Sequence, residues 1–245
     1  LSMAKNMAID YGYPVAIFSL EMSNLELVNR LVINASEIEG EKIKTGRLTP
    51  HEWQDLYAKT DCLNSAPIFI DDTANISVSE LTTKARRLKS EHDIQCIIID
   101  YLQLMNASGI SYGSREQEVS IISRSLKGLA KELDIPVIAL SQLNRGVESR
   151  EEKRPQLSDL RESGAIEQDA DMVVFIHRPE YYKIMQDQEG NSNEGVAEII
   201  IAKHRSGAVG DVRLQFTKEL IKFSNLTERR YGNYQADTSS YQEFG

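Results

Sequence analysis

The sequence predicts an α/β fold: a mainly parallel sheet with helices on both faces, followed by an antiparallel C-terminal extension. Three observations carry this. Short segments rich in Val, Ile and Phe recur along the chain and are apolar at every position, as in strands buried on both faces. Segments with helical spacing lie between the first four of them. After Ile176 the apolar segments come closer together, with turn residues between them and no room for helices.

The apolar segments are Pro14–Leu20, Pro67–Ile70, Gln95–Ile99, Pro136–Leu140 and Met172–Ile176. Between the first two, Thr49 followed by Glu52 three residues later predicts a capped helix after Thr49-Pro50. Trp53 and Tyr57 lie at i, i+4 on that helix, and packing explains them. Leu81, Ala85 and Leu88 give a short amphipathic helix. Val119, Ile122, Leu126, Leu129 and Leu133 recur at three- and four-residue steps and give a longer one, which ends before Pro136. Gly195–His204, Asp211–Phe216 and Leu220–Phe223 read as antiparallel strands added at the sheet edge. Asn106–Ser114, with its Gly and Ser residues, is expected to be mobile, and the polar stretch from about Asn225 onward a disordered end. The expected organisation is one folded domain over residues 1–225 and a tail over 226–245. No repeat recurs at a fixed period.

Composition narrows the function classes. Of 245 residues, 41% are apolar, and a folded chain of this length buries roughly 75% of its unfolded surface, so wholesale disorder is excluded. The longest apolar runs, such as Val15–Phe18, Cys96–Ile99 and Met172–Ile176, fall far short of the ~18 residues that suggest a membrane span. Leu1 opens directly into a helical pattern, unlike a secretory signal. Cys62 and Cys96 are two distant thiols in a chain too large to need disulfide stapling, so a reduced, cytoplasmic setting is expected. The net charge of −9 argues against broad polyanion binding and makes any nucleic-acid contact local. The cysteines lack CxxC spacing and His51, His92, His177 and His204 form no ligand pattern, so a zinc site is not expected. No GxSxG elbow supports a serine hydrolase.

Ligands of open α/β sheets bind outside the carboxyl ends of the strands. Three strands end in polar residues of suggestive chemistry: Glu21 after Val15-Ala-Ile-Phe-Ser-Leu, Asp100 after Cys96-Ile-Ile-Ile, and Gln142 after Pro136-Val-Ile-Ala-Leu-Ser. One carboxylate there can hold magnesium or its waters, a second can polarise an attacking water, and a neutral amide can sense a terminal phosphate without repelling it. The alternative is that each caps the next helix or meets solvent. Asp71 and Asp72 are assigned to that second class, starting the helix near Val78. A second cluster mixes Arg145, Arg150, Lys153, Arg154 and Arg161 with Glu148, Glu151, Glu152 and Asp159, in a long stretch without periodicity. It is either a solvated mixed-charge loop or a segment that tracks a nucleic-acid backbone, since no interleaved aromatics support base stacking. Ser163-Gly-Ala-Ile after it suits the opening of a helical turn. In Ile199-Ile-Ile-Ala-Lys-His-Arg, Lys203 and Arg205 share one strand face. They either reach a phosphate, such as one held by a neighbouring subunit, or protect an exposed edge.

The motifs themselves are recognisable. Phe18-Ser-Leu-Glu-Met-Ser, Ile97-Ile-Ile-Asp-Tyr-Leu-Gln-Leu-Met, Ser114-Arg-Glu-Gln-Glu-Val, Ala139-Leu-Ser-Gln-Leu-Asn-Arg, Pro155-Gln-Leu-Ser-Asp-Leu-Arg-Glu-Ser-Gly-Ala-Ile-Glu-Gln-Asp-Ala-Asp and Ala202-Lys-His-Arg-Ser-Gly-Ala-Val-Gly occur in order. Together, over about residues 1–225, they resemble the C-terminal motor domain of the bacterial replicative DNA helicases, the DnaB family. The resemblance implies a RecA-like three-layer ATPase using ATP and Mg2+, assembled as a homo-hexamer around single-stranded DNA, with primase and a helicase loader as further partners. It implies that Glu21 orients the attacking water, that Asp100 supports magnesium through its waters, and that Gln142 is the phosphate sensor. It likewise implies that Arg161, Glu162 and Gly164 belong to the channel loop that holds DNA, and that Lys203 and Arg205 reach the neighbouring subunit's ATP. Gln142 and Arg161 then stand at opposite ends of one loop. A RecA-type recombinase, or a non-catalytic assembly or DNA-binding module, is the alternative.

The sequence departs from the family at its start. It contains no Gly-rich phosphate loop ending in Gly-Lys-Thr or Gly-Lys-Ser, no strand before it and no primase-engaging domain. Leu1–Ile9 resembles the helix that follows the loop, and Lys5 is not its lysine. These 245 residues alone are therefore expected to bind ATP poorly. Arg150-Glu-Glu-Lys-Arg-Pro is also short for the family's loop.

Overall fold

The computed structural model describes residues 1–107 and 113–226, with residues 161–163 described in backbone only. The mobility expected of residues 108–112 and of the tail beyond 226 therefore lies outside the described residues. Two sheets result. The first is parallel, in the order β2-β1-β3-β4, from β1 (Val15–Ser19), β2 (Ile68–Asp71), β3 (Cys96–Asp100) and β4 (Val137–Ala139). The second is antiparallel, in the order β5-β6-β7-β8, from β5 (Met172–His177), β6 (Val196–His204), β7 (Gly210–Thr217) and β8 (Lys222–Asn225).

The helices are α1 (Ser2–Lys5, continuing as a π turn to Asp10), α2 (Asn24–Ser36), α3 (Gly40–Thr45), α4 (Pro50–Ser65), α5 (Val78–His92), α6 (Arg115–Leu133) and α7 (Gly164–Asp169). Their starts follow from side-chain caps. Ser23 with Glu26, and Thr49 with Glu52, form capping boxes, while Ser77 and Ser114 accept from the third backbone N–H of α5 and α6. Asp71 and Asp72 are structural, though not as caps of α5. Asp71 pairs with Lys84 at 2.8 Å, and Asp72 accepts from the backbone N–H of Asn24 at 2.9 Å, so it caps α2 instead.

Period-two alternation explains the layers of the parallel sheet. Ala16, Phe18, Ile97 and Ile99 face Leu81 and Ala85 of α5 and Val119, Ile122, Leu126 and Leu129 of α6. Val15, Ile17, Cys96 and Ile98 face the other way, against Ala4 and Leu27. A core substitution such as Ile97→Ala costs roughly 2–5 kcal/mol, whereas an exposed ion pair such as Arg86–Glu132 contributes about 0.2–1 kcal/mol. The apolar pattern therefore decides the fold.

The antiparallel strands were expected at the edge of the first sheet, but they form a sheet of their own. β4 and β5 each keep one edge without a strand partner among the described residues. Both lie by α6, which packs on β4 and sends Lys127 to Asp171, next to the start of β5. β5 buries Val173, Phe175 and His177 but leaves Met172, Val174 and Ile176 at 45, 44 and 60% exposure. No helix of the described residues is long and apolar enough to cross a membrane.

Candidate functional site

In-register strands bring three of the expected residues together. Ser19 of β1 pairs with Asp100 of β3, and the Leu20 N–H donates to the Asp100 carbonyl at 2.7 Å. On the other side Leu140 N–H donates to Ile99 O, and Leu102 N–H to Leu140 O, both at 2.9 Å. Ser19 is buried, and its hydroxyl donates to the Met22 carbonyl at 2.8 Å, turning the chain so that Glu21 stands on the rim. Glu21, Asp100 and Gln142 thereby line one cavity of about 260 Å3, with Tyr101, Leu140 and Ser141. The Asp100–Tyr101 peptide bond in its wall is cis.

Two carboxylates, Glu21 and Asp100, share this cavity. Burial, and then the charge of Glu21, push the Asp100 carboxyl above its ordinary value of 3.8, against the opposing influence of the Leu1 amino group and Arg30. A divalent cation held through waters would relieve both causes, so the donors present fit magnesium. Gln142 also lines a second cavity of about 300 Å3, on the side of Asn144, Asp159 and Leu160. It thus stands between the carboxylates and the base of the long loop, whose ends are tied by the Asn144 N–H to Asp159 O bond at 3.0 Å.

Lys203 and Arg205 lie elsewhere, at the end of β6. A bulge in the β5–β6 pairing falls beside Lys203. Both cations converge on the C-terminal carbonyls of α7, in agreement with the shared face expected from their spacing. Lys203 Nζ donates to the carbonyls of Glu167, Gln168 (3.5 Å) and Ala170 (2.9 Å). Arg205 donates to Gln168 O at 3.4 Å and pairs with Asp171 at 3.0 Å. Cations suit the negative end of a helix. Gly164, from the expected DNA loop, is the exposed first residue of this same helix. The side chains of Arg161 and Glu162, in the 3-10 turn before it, lie outside the described residues.

The mixed-charge stretch is partly tied down. Arg150 pairs with Asp159; Arg154 reaches Glu198 at 3.3 Å and Asp211 at 2.5 Å; Lys153 lies 5.4 Å from the Tyr182 ring centre. Arg154 and Lys153 anchor the stretch to the antiparallel sheet and the turn before β6, Arg150 closes it on its own Asp159, and Arg145 is exposed. Sequence reasoning gave no role to Tyr101, Gln103, Ser141 or Arg115. Gln103 and Arg115 sit inside recognisable motifs; Arg115–Glu118 has ordinary i,i+3 helical spacing, but the bonds from Gln103 to Ser141 and Gln142 and from Arg115 to Gln103 and Met105 span 10 to 39 residues, and no spacing rule marks them.

Comparison with known proteins agrees with the geometry. The family model for the DnaB-like helicase C terminal domain matches residues 1–225. The replicative DNA helicase DnaB of Geobacillus stearothermophilus is 52% identical over 235 residues, 96% of this chain and 50% of that protein. The chain therefore spans about half the length of this relative. Among solved structures, the ATPase domain of G40P superposes with a TM-score of 0.83 at 43% identity, covering 91% of this chain and 78% of that one. A DnaB-like replicative helicase, described with its interactions with primase, gives 0.84 at 42% identity, covering 92% and 53%. With an acid pair and an amide at the ends of adjacent parallel strands, in a RecA-like ATPase fold, the chain belongs to the DnaB-like helicase C-terminal domain family.

Proposed function

We propose that this chain is the motor domain of a replicative DNA helicase, which couples ATP hydrolysis to translocation on single-stranded DNA and to duplex unwinding as part of a homo-hexameric ring. The observation that carries this reading is the convergence of Glu21, Asp100 and Gln142 in one cavity. Magnesium-bound ATP supplies a phosphoanhydride bond whose cleavage drives the motion. Glu21, at the rim, orients the attacking water and takes up its proton. Asp100 fixes the magnesium waters and is itself relieved of charge repulsion. Gln142 presents a neutral amide towards the terminal phosphate, at the head of the loop that ends in Arg161, Glu162 and Gly164, the proposed holders of the DNA backbone. Lys203 and Arg205 act on the neighbouring subunit's nucleotide.

The phosphate loop that would complete the cavity does not occur in these residues. We place it ahead of Leu1, because Leu1–Ile9 resembles the helix that follows such a loop, and its strand against the edges of β4 and β5 that have no strand partner among the described residues. Primase and a loader are proposed to engage the protein through regions beyond these residues. The primase named with one similar structure supports the first of these.

The decisive assay is unwinding of a forked DNA duplex by the full-length protein with ATP and Mg2+. Strand displacement that stops in Glu21→Gln is the expected result, whereas ATP hydrolysis with strand exchange and no fork unwinding favours a recombinase. ATP titration of the 245-residue chain addresses the rest. Micromolar affinity would contradict the view that the phosphate loop is essential to the site.

A further inference from the structure

Gln142 has no strand to hold it. β4 ends at Ala139, and the backbone of Ser141 and Gln142 continues as an irregular segment. What holds that segment is the side chain of Gln103, from the 3-10 turn Leu102–Leu104 that follows Asp100. Its Nε2 donates to Ser141 Oγ at 2.9 Å and to the Gln142 carbonyl at 3.3 Å, while its Oε1 accepts from the Gln142 N–H at 3.2 Å. One carboxamide thus makes the bonds to Gln142 that a neighbouring strand would make, and only a group with both a donor and an acceptor can do so.

Gln103 is itself held from behind. Arg115, the first residue of α6, donates to the Gln103 carbonyl and, at 3.5 Å, to the Met105 carbonyl. The same guanidinium pairs with Glu118, which is buried at 3% exposure and accepts from the Ala107 N–H at 3.1 Å. A continuous hydrogen-bonded path therefore runs from Ala107 through Glu118, Arg115 and Gln103 to Gln142. It matters where this path ends, because Gln142 lines both the carboxylate cavity and the cavity at the base of the long loop.

We propose that Gln103 is a positioning residue for nucleotide hydrolysis: its carboxamide fixes the Ser141–Gln142 backbone so that the Gln142 amide faces the carboxylates, and Arg115 with Glu118 ties that setting to the segment after Met105. The proposal rests on the reading of Gln142 as the phosphate-sensing group. A residue that only filled space would be replaced without loss by one of equal length. Gln103→Met keeps the length and removes every hydrogen bond, whereas Gln103→Glu keeps the acceptor and removes both donors.

The test is steady-state ATP hydrolysis by the full-length protein with and without single-stranded DNA, for Gln103→Met, Gln103→Glu, Gln142→Ala and the double variant Gln103→Met/Gln142→Ala. The expected result is a fall of about tenfold or more in DNA-stimulated kcat for both Gln103 variants, with KM for ATP within about threefold of wild type. The double variant should be no slower than Gln142→Ala alone, because both changes act through one group. Wild-type stimulation in Gln103→Met alongside an impaired Gln142→Ala overturns the positioning role alone. Losses that multiply in the double variant do the same. Undiminished stimulation in Gln142→Ala instead removes the reading of Gln142, and the role of Gln103 with it. If Gln103→Met fails to fold, Ser141→Ala, which deletes one of the three bonds, is expected to lower stimulated kcat two- to fivefold. No change there counts against the proposal.

Discussion

The two sheets place their chemistry differently along their strands. In the parallel sheet, Glu21, Asp100 and Gln142 stand at or just past the carboxyl ends of β1, β3 and β4; β1 and β3 are buried and paired in register, while the backbone of Gln142 is held by the Gln103 side chain. In the antiparallel sheet, Lys203 is part of β6 itself and Arg205 follows it directly, on a sheet with one exposed face, and both cations grip the end of a short helix. The contrast teaches that the groups proposed to act together within a subunit stand at the ends of neighbouring parallel strands. Groups proposed to serve another subunit sit at an exposed strand end, where releasing a few carbonyls frees them.

That division can be broken by experiment. The largest expected effect is Arg205→Ala in the full-length protein, with a loss of about 10³-fold in DNA-stimulated hydrolysis if the arginine acts on transferring phosphate; Glu21→Gln should cost about 10²–10³-fold through loss of base action. Thermal unfolding should barely move for Arg205→Ala, since its pair with Asp171 is exposed. Rings mixed from the two variants sharpen the point. If Glu21 acts within its subunit and Arg205 across the interface, some mixed sites carry both intact residues, and hydrolysis should recover above either variant alone. Mixed rings as inactive as their parents would mean that both residues belong to one subunit's site.

A smaller effect tests the loop that links the sheets. Arg161→Ala should weaken single-strand binding several-fold near 0.1 M salt and lower the salt slope by about 0.7, as for one lost phosphate contact. An unchanged slope would take Arg161 out of the DNA path.

The smallest effect concerns the acid pair. Burial and Glu21 raise the Asp100 carboxyl above 3.8, so between the unfolded and folded values the native state binds more protons than the unfolded one. Stability is therefore lost as pH rises through that window, and the cost is fully present above the folded value. Asp100→Asn removes it. The unfolding midpoint of this variant should exceed that of the parent at pH 7 and converge on it near pH 3, with magnesium absent. A constant offset across that range would show that the Asp100 carboxyl is not raised in the folded protein.

The parallel half was the more legible of the two. Pro14–Leu20, Pro67–Ile70, Gln95–Ile99 and Pro136–Leu140 each contain a strand; burial on both faces leaves an unbroken apolar run in β1 and β3, whereas β2 and β4, at the ends of the sheet, are only partly buried. The same signal misled at Met172–Ile176, where the run is apolar although one face of β5 is exposed. The last strand starts later than expected, since Leu220 closes a 3-10 turn and Ile221 has φ 50°, so pairing begins at Lys222. Glu21, Asp100 and Gln142 could be read from their position after strands. The grip of Lys203 and Arg205 on α7 could not, because contacts with backbone carbonyls more than 30 residues away leave no periodic trace. The same holds for Gln103, whose partners lie 38 and 39 residues on.

The edges of β4 and β5 that lack a strand partner among the described residues also bear on how such a domain behaves in a tube. A row of unpaired N–H and C=O groups is a template for any extended chain, and beside β5 it is accompanied by exposed Met172, Val174 and Ile176. Another molecule's strand can take such a place as readily as one from the same protein. Aggregation of these 245 residues with rising concentration is therefore the expected outcome, and its suppression when a strand from the same protein fills the edge would be a readout of sheet completion that requires neither nucleotide nor DNA.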